Sequence, residues 1–195
     1  AWRTKLGEGI ASPVVMKGRV YSTAMIGEQR VAVFALDAAS GRQLWRSEFD
    51  TGKLPRITPP NSHASSTPAA DAERVYVYFS TLGLLAFDAA TGKEAWRYAM
   101  PKPAYLMDWG AASSPIIYNG MVIFCQDDDL TPYLVAVDAK TGEERWKTQR
   151  KDMLAVALIA LSFWFALSPM LHFMDLPRFR EAQSFACAAA VATPL

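Results

Sequence analysis

Few residues have side chains suited to catalysis or ligand binding, and they lie in stretches predicted to be loops. His63 could act as a base or a ligand. Three consecutive aspartates provide carboxylates that could hold calcium. The indole of Trp109 could stack on a flat cofactor. The candidate residues for a ligand or partner site are Asn61, His63, Trp109, Asp127, Asp128 and Asp129.

Each candidate also has a structural interpretation. A single histidine in a linker is most often held by loop hydrogen bonds, and Trp109 could simply cover the start of the next repeat. Consecutive aspartates point alternately, and no spaced set of oxygen ligands follows them. Cys125 and Cys187 are too few for a disulfide framework or a Cys-rich zinc site. The sequence therefore predicts no catalytic residue and no metal site.

Composition excludes several classes of function. Twenty Lys and Arg residues against nineteen Asp and Glu give a formal charge of +1, which argues against a nucleic-acid partner. Half of the residues are apolar and 12% are aromatic, which indicates a folded chain. We expect one domain with a hydrophobic core.

An eleven-residue pattern, Ala-x-Asp-x-x-Ser/Thr-Gly-x-x-x-Trp, occurs at 35–45, 86–96 and 136–146. The steps between its aspartates are 51 and 50 residues, so the chain is built from repeats. We expect the glycine to need positive φ, the aspartate to accept turn amides and the tryptophan to pack between repeats. The shared positions are Asp37, Gly41, Trp45, Asp88, Gly92, Trp96, Asp138, Gly142 and Trp146.

Each repeat has the periodicity of four short strands with no helix between them. This pattern predicts an all-β fold, a partial β-propeller of about three four-stranded antiparallel blades. The predicted propeller domain covers 1–152, with blades at about 10–49, 65–100 and 112–150. A hydrophobic tail over 153–195, expected to be helical, lies outside the repeat pattern.

The repeated motif resembles the tryptophan-docking motif of pyrroloquinoline-quinone (PQQ)-like repeats. Quinoprotein alcohol dehydrogenases and the outer-membrane assembly factor BamB share that motif. The resemblance covers residues 1 to about 150, and it implies a ring of about seven or eight blades, roughly 400 residues. This chain is therefore expected to be a fragment, with missing blades or another protein covering its open ends.

In such a ring the long loops open on one face. The loops 50–66, 101–111 and 126–133 should therefore crowd a single rim and bring the six candidate residues towards a shared surface. We expect this rim to bind a ligand or a protein partner.

The tail has three interpretations. The 21 uncharged residues of 154–174 are long enough for a membrane-spanning helix. A hydrophobic helix packed on the open edge is the second, and a disrupted reading frame is the third. We favour the disrupted frame over the membrane anchor.

The resemblance implies a non-catalytic, BamB-like binding or scaffolding domain in the periplasm or cell envelope of a bacterium, with a membrane anchor under the first tail interpretation. No cofactor is expected in that case. The alternative is a fragment of a quinoprotein dehydrogenase, which would imply PQQ with calcium. That enzyme class would also imply a vicinal cysteine pair, which this sequence lacks.

Overall fold

The computed structural model describes residues 1–105 and 108–150, whose regular elements are β-strands. They form three four-stranded sheets, each an antiparallel meander in chain order, which we name blades 1, 2 and 3. Blade 1 contains β1 (Val14–Met16), β2 (Arg19–Gly27), β3 (Arg30–Asp37) and β4 (Gln43–Asp50). Blade 2 contains β5 (Ala69–Ala70), β6 (Arg74–Phe79), β7 (Gly83–Asp88) and β8 (Glu94–Tyr98). Blade 3 contains β9 (Ile116–Tyr118), β10 (Met121–Gln126), β11 (Tyr133–Asp138) and β12 (Glu144–Gln149).

The first hairpin of each blade follows from local turn chemistry. Asn119 and Gly120 have φ of 48° and 73°, as a two-residue hairpin turn that matches the strand twist requires. In blade 2 the same turn depends on Asp71, whose carboxylate accepts the N–H groups of Glu73 and Arg74, both at 2.8 Å. Different residues thus close equivalent turns.

The strand register puts the repeat tryptophan at the same place in every blade. Trp45 pairs with Ala35, and Ala35 pairs on its other side with Tyr21. The register shifts directly after that alanine in all three blades, which marks a bulge between the third and fourth strands. A bulge increases the local twist and changes the direction of the side chains beside it. The repeat therefore fixes the direction of the indole as well as its position.

The core lies between the blades. One cluster joins residues of blades 1 and 2, including Val33, Trp45 and Phe87, and a second joins blades 2 and 3, including Leu84 and Phe124. The third strands are the most deeply buried because both of their faces are covered. Burial between sheets therefore makes the stability of each blade depend on its neighbours.

The predicted all-β architecture of three four-stranded antiparallel blades is confirmed. The predicted helical tail over 153–195 and the possible membrane span at 154–174 lie outside the described residues. In the part of the chain that the structure describes, there is no helix with the length and apolarity needed for a bilayer crossing.

Candidate functional site

The tryptophan of blade 1 docks on the glycine turn of blade 2. Trp45, on β4, lies against Gly92, and its Nε1–H donates to the carbonyl of Ala89 at 3.1 Å. We name this receiving pair, an alanine carbonyl and a glycine, a docking seat. Ser47 follows the tryptophan by two residues and so shares its face of the strand, and its hydroxyl donates to the Gly92 carbonyl at 2.6 Å. Two side chains of one strand thus bind one turn of the next blade.

The junction between blades 2 and 3 repeats this arrangement. Trp96, on β8, lies against Gly142 and donates to the carbonyl of Ala139 at 3.0 Å. Two residues later the chain has Tyr98 rather than serine, and its hydroxyl donates to the Glu144 carboxylate instead. Trp96 is 8% exposed, the same as the indole of blade 1. The indole and its seat are therefore the constant part of the junction.

The segment before β1 fills the docking seat of blade 1. Trp2 lies against Gly41, and its Nε1–H donates to the carbonyl of Ala38 at 2.9 Å. Thr4, two residues on, donates its hydroxyl to the Gly41 carbonyl at 2.9 Å. This segment therefore makes the same two contacts as β4, although Trp2 is 40% exposed.

The glycine of each seat is required for two reasons. Gly92 and Gly142 have φ of 72° and 76°, which is the left-handed region that glycine adopts most easily. A Cβ on Gly92 would also lie 2.5 Å from Cδ2 of Trp45, and one on Gly142 would lie 2.7 Å from Cδ2 of Trp96. The sequence predicted the positive φ of these glycines, whereas the close approach of the indole is seen only in the structure.

The repeat aspartates hold the turn that forms the seat. One oxygen of Asp88 accepts the Thr91 hydroxyl at 2.7 Å and the Thr91 N–H at 2.8 Å. These hydrogen bonds lower the pKa of Asp88 because they favour the charged form. Asp138 also has a lowered pKa, mainly because Arg145 bonds to it at 2.7 Å. Both carboxylates act on their own turn.

A tyrosine supports each buried indole, and sequence reasoning missed this role. The rings of Tyr21 and Trp45 have centroids 5.9 Å apart and an interplanar angle of 39°, and Tyr76 and Trp96 repeat both values. The Tyr21 hydroxyl donates to the Ala89 carbonyl at 3.1 Å, the same carbonyl that accepts the Trp45 N–H, whereas the Tyr76 hydroxyl donates to the Asp71 carboxylate and lies 3.3 Å from the Ala139 carbonyl. Burial raises the pKa of both phenols. Val-Tyr at matching places in two repeats was the available signal, and Ile123 replaces the tyrosine in blade 3.

Trp146 differs from the other repeat tryptophans. It is 37% exposed, and every residue of β12 is exposed. Among residues 1–105 and 108–150 no docking seat receives it. The expected wedge between blades is therefore formed at Trp45 and Trp96 in the described residues, and not at Trp146.

The three long loops meet at one rim. The side-chain amide of Asn61 donates to the Trp109 carbonyl, and the N–H of Thr58 donates to the Asp108 carbonyl at 2.6 Å. A backbone hydrogen bond of 3.0 Å between Asp129 and Ala104 joins the third loop to the second. The structure thus brings the candidate loops together through hydrogen bonds to backbone carbonyls.

Asp128 holds this rim together from inside. Its carboxylate accepts the N–H groups of Leu130 at 2.7 Å, Thr131 at 2.8 Å and Ala104 at 3.0 Å. Burial opposes the charged form, but these backbone hydrogen bonds outweigh it and lower the pKa of Asp128. The side chain is 9% exposed, so its oxygens serve the loop rather than a metal ion.

Asp127 belongs to a small polar cluster at the end of β10. It accepts the Ser113 hydroxyl at 2.7 Å and the Cys125 thiol at 3.2 Å, and it pairs with Arg150. Burial works against ionisation, but these partners outweigh it and lower the pKa of Asp127. Burial, followed by the hydrogen bond to Asp127, raises the pKa of the Cys125 thiol. These surroundings therefore favour the protonated thiol, which is a poor nucleophile.

His63 and Trp109 contribute in different ways. The His63 Nε2–H donates a hydrogen bond to the Pro55 carbonyl at 3.1 Å. Burial lowers the pKa of His63, the hydrogen bond to Pro55 opposing it, so the ring is neutral at physiological pH. Trp109 is 43% exposed and offers an aromatic surface at the rim. Of these two side chains, Trp109 is the more exposed.

A small cavity opens beside these loops, and sequence reasoning did not find its charged lining. Its volume is about 70 Å³, and Arg56, Lys102 and Tyr105 line it with His63. Small-molecule sites occupy roughly 300–1,000 Å³, so a tricyclic quinone does not fit here. Within the described ranges no group of three or more His, Cys, Asp or Glu residues could hold a metal ion. This cavity beside the rim loops is therefore too small to hold PQQ.

Comparisons with known proteins agree with the repeat pattern. The family model described as outer membrane protein assembly factor BamB matches residues 1–108 and 27–164. Quinohemoprotein alcohol dehydrogenase ADH-IIG of Pseudomonas putida is 28% identical over 162 residues, 75% of this chain and 21% of that protein. Serine/threonine-protein kinase AfsK of Streptomyces griseus is 30% identical over 154 residues, 77% of this chain and 17% of the kinase.

The solved structure of quinohemoprotein alcohol dehydrogenase ADHIIG from Pseudomonas putida HK5 superposes with a TM-score of 0.52 at 27% identity. The match covers 73% of this chain and 20% of the dehydrogenase, so the chain spans about a fifth of the length of such relatives. The predicted resemblance is confirmed by the family match across all three blades. The chain belongs to the family of PQQ-like repeat β-propellers related to BamB and to the quinohemoprotein alcohol dehydrogenases.

Proposed function

We propose that this chain is a three-blade section of a propeller of the quinoprotein alcohol dehydrogenase type. The observation that carries the proposal is the similarity to ADH-IIG, which extends over 75% of the chain. From the motifs alone this interpretation is the alternative to a BamB-like scaffold. The similarity to a named dehydrogenase at both sequence and structure level now favours it.

The work of the described residues in such an enzyme is to hold the blades and the rim in place. Two buried indoles, each hydrogen-bonded to the next blade, fix the angle between neighbouring sheets. Asp128 and Asn61 then hold the rim loops that the sheets carry. A rigid scaffold with fixed loops is what a preorganised site needs.

In this class of enzyme a bound quinone supplies the oxidising chemistry. The cavity beside the rim loops is too small for it, and the described residues contain no group of three or more His, Cys, Asp or Glu side chains that could hold calcium. We therefore assign no catalytic step to these residues. Under this proposal the cofactor is held by other parts of the complete propeller.

The test uses the protein made from the complete reading frame that contains this chain. The purified protein is titrated with PQQ in the presence and absence of calcium, and binding is followed by the absorbance of the quinone. The proposal expects calcium-dependent binding and reduction of an electron-accepting dye that requires an alcohol. Neither binding nor alcohol-dependent reduction at saturating PQQ and calcium would contradict it.

A second candidate is a non-catalytic BamB-like scaffold in the periplasm or cell envelope. The match of the BamB-described family model to residues 1–108 and 27–164 favours this candidate. Its mechanism is binding of a protein through the rim, where Trp109 is 43% exposed. Exposed aromatic residues of this kind are enriched at protein interfaces.

The two candidates predict different results for a rim variant. Trp109→Ala should weaken capture of an envelope protein by the immobilised chain if the rim is a scaffold surface, while Tyr118→Ala, at an exposed aromatic residue outside the rim loops, serves as the control. Identical capture by both variants would argue against the scaffold. Quinone-dependent alcohol oxidation in the full-length protein would decide for the dehydrogenase.

A further inference from the structure

The small cavity beside the rim loops is built from three separate stretches of the chain. Its lining comes from the loop 50–66, from the turn between β6 and β7, and from the loop 101–111. The lining residues that carry a charge or a hydroxyl group are Arg56, Lys102, Asp108, Ser80, Thr81 and Tyr105. Polar groups from distant parts of the sequence therefore meet around one space.

Backbone hydrogen bonds hold the walls of this cavity in place. The N–H of Asp108 donates to the Tyr105 carbonyl at 3.3 Å, and the Asp108 carbonyl accepts the Thr58 N–H at 2.6 Å. At the turn between β6 and β7, the N–H of Leu82 donates to the Phe79 carbonyl at 3.0 Å. Walls that are already ordered lower the entropy that a ligand must offset when it binds.

Two cationic residues line the cavity without a neutralising partner. Among residues 1–105 and 108–150, no acidic side chain forms an ion pair with Arg56 or Lys102. Both cationic residues are exposed, so a ligand can reach them from solvent. Asp108 contributes one carboxylate and His63 is neutral, so the described lining has a net positive charge. A concave surface of one charge sign concentrates ions of the opposite sign.

Hydroxyl residues add neutral donors to the two cations. Ser80 and Thr81 line the cavity from the turn between β6 and β7, and Tyr105 lines it from the loop 101–111. Burial raises the pKa of Tyr105, so its hydroxyl keeps its proton at physiological pH and can donate. Guanidinium, ammonium and hydroxyl groups are the donors with which proteins bind phosphate oxygens.

The volume of the cavity limits the size of its ligand. A water molecule takes up about 30 Å³ of the liquid, so about 70 Å³ has room for roughly two waters or one small ion. A single tetrahedral oxyanion is of this order of size, whereas a ligand with several rings is not. The charge and the volume thus indicate the same class of ligand.

We propose that this cavity binds a phosphate group between Arg56 and Lys102, either as the free ion or as the terminal group of a phosphate ester that extends into solvent. The hydroxyl residues supply further donors to its oxygens. The Asp108 carboxylate is the opposing feature, because it repels a negative ligand. Neither proposed function gives this cavity a ligand, so the inference stands apart from both.

The test titrates the isotope-labelled full chain with sodium phosphate at constant ionic strength and follows the backbone amides by NMR. We expect saturable shifts at Ser80, Thr81 and Gly110, which line the cavity. A parallel titration with glycerol phosphate separates the two sources. Equal affinity would support the terminal group of an ester, and a preference for inorganic phosphate would support the free ion.

Substitutions at the two cations identify the contacts. Arg56→Gln and Lys102→Gln should each weaken phosphate binding by about threefold to tenfold, since each removes a charged hydrogen-bond donor. Lys53→Gln is the matched control and should leave the affinity unchanged, because Lys53 is an exposed cation of the loop 50–66 that does not line the cavity.

Asp108→Asn tests the sign of the charge effect. Asparagine tolerates the φ of 55° at this position, so the substitution removes the carboxylate without straining the loop. Phosphate should then bind several-fold more tightly. A gain in affinity cannot result from unfolding, so this variant keeps the test decisive even where a glutamine variant is unstable.

Amide shifts that do not saturate, or that spread over basic residues outside the cavity, would overturn the proposal. Unchanged affinity in folded Arg56→Gln and Lys102→Gln variants would overturn it as well, and so would weaker binding by Asp108→Asn. Saturable shifts at the cavity that weaken in both glutamine variants, persist in Lys53→Gln and strengthen in Asp108→Asn would support it.

Discussion

Blades 2 and 3 carry the same tryptophan motif on their fourth strands, but the two tryptophans lie in different environments. Trp96 is 8% exposed and bonded to the Ala139 carbonyl, whereas Trp146 is 37% exposed. The motif therefore does not bury its own tryptophan. Burial requires the glycine turn of a following blade, so the unit of stability is the junction between two repeats, as in other repeat proteins.

The largest expected effect compares Trp96→Ala with Trp146→Ala. Removing a buried indole leaves a cavity between blades, so Trp96→Ala should lower the free energy of unfolding by about 3–5 kcal/mol. Trp146→Ala removes a partly exposed ring and should cost less than about 1 kcal/mol. Urea denaturation followed by circular dichroism measures both. A cost below about 1 kcal/mol for Trp96→Ala would show that the ring is not wedged between blades.

The glycine of the seat gives the next comparison. Gly142 and Gly120 have φ of 76° and 73°, but a Cβ would lie 2.7 Å from the Trp96 ring at Gly142 and would meet nothing within 4 Å at Gly120. Gly120→Ala should cost about 1–2 kcal/mol of backbone strain. Gly142→Ala should cost a further 1–3 kcal/mol, roughly, from overpacking. Equal costs in thermal or urea unfolding would mean that the indole does not rest on Gly142.

A smaller effect is expected at the supporting tyrosine. Tyr76→Phe keeps the ring but removes a buried hydroxyl that donates to the Asp71 carboxylate at 2.8 Å and lies 3.3 Å from the Ala139 carbonyl. The loss should be about 0.5–1.5 kcal/mol in the free energy of unfolding. Tyr118→Phe, at a tyrosine that is 66% exposed, is the control and should leave the urea midpoint unchanged. Equal urea midpoints for the two variants would show that the Tyr76 hydroxyl does not stabilise the junction.

The smallest effect concerns the turn aspartate. Hydrogen bonds from Thr91 lower the folded-state pKa of Asp88, so its contribution to stability is present above its unfolded pKa of about 3.9 and is lost as pH falls through the folded pKa. Asp88→Asn keeps an acceptor without the titrating group. Between pH 5 and pH 3 the urea midpoint of Asp88→Asn should therefore fall less than that of the wild-type protein. An identical fall would show that Asp88 does not favour its charged form in the turn.

The strands and junctions were predictable to different degrees. The repeat spacing and the Gly turns predicted three four-stranded sheets because strand periodicity and turn chemistry are local properties. The indole resting on Gly92 was not predictable in detail, since the contact joins residues 47 positions apart in sequence. The tyrosine role was detectable from Val-Tyr in two repeats, but its meaning depended on the register that pairs Tyr21 with Ala35.

At the rim the sequence predicted which loops meet and not how they are held. Loop lengths indicated that 50–66, 101–111 and 126–133 share one face. The sequence predicted that consecutive aspartates point alternately but not their partners: Asp128 bonds backbone amides, whereas Asp127 bonds Ser113 and Arg150. The cavity lined by Arg56 and Lys102 escaped prediction because it forms between separate loops. Side-chain direction in irregular backbone carries little sequence signal.

The most direct test of the account is a double-mutant cycle between Trp96→Ala and Gly142→Ala, measured by urea denaturation. If the indole rests on the glycine, Gly142→Ala in the Trp96→Ala background should cost only the strain seen for Gly120→Ala, which gives a coupling of roughly 1 kcal/mol or more. Costs that add within about 0.3–0.5 kcal/mol would show that the two residues do not touch and would contradict the junction as the unit that holds the blades.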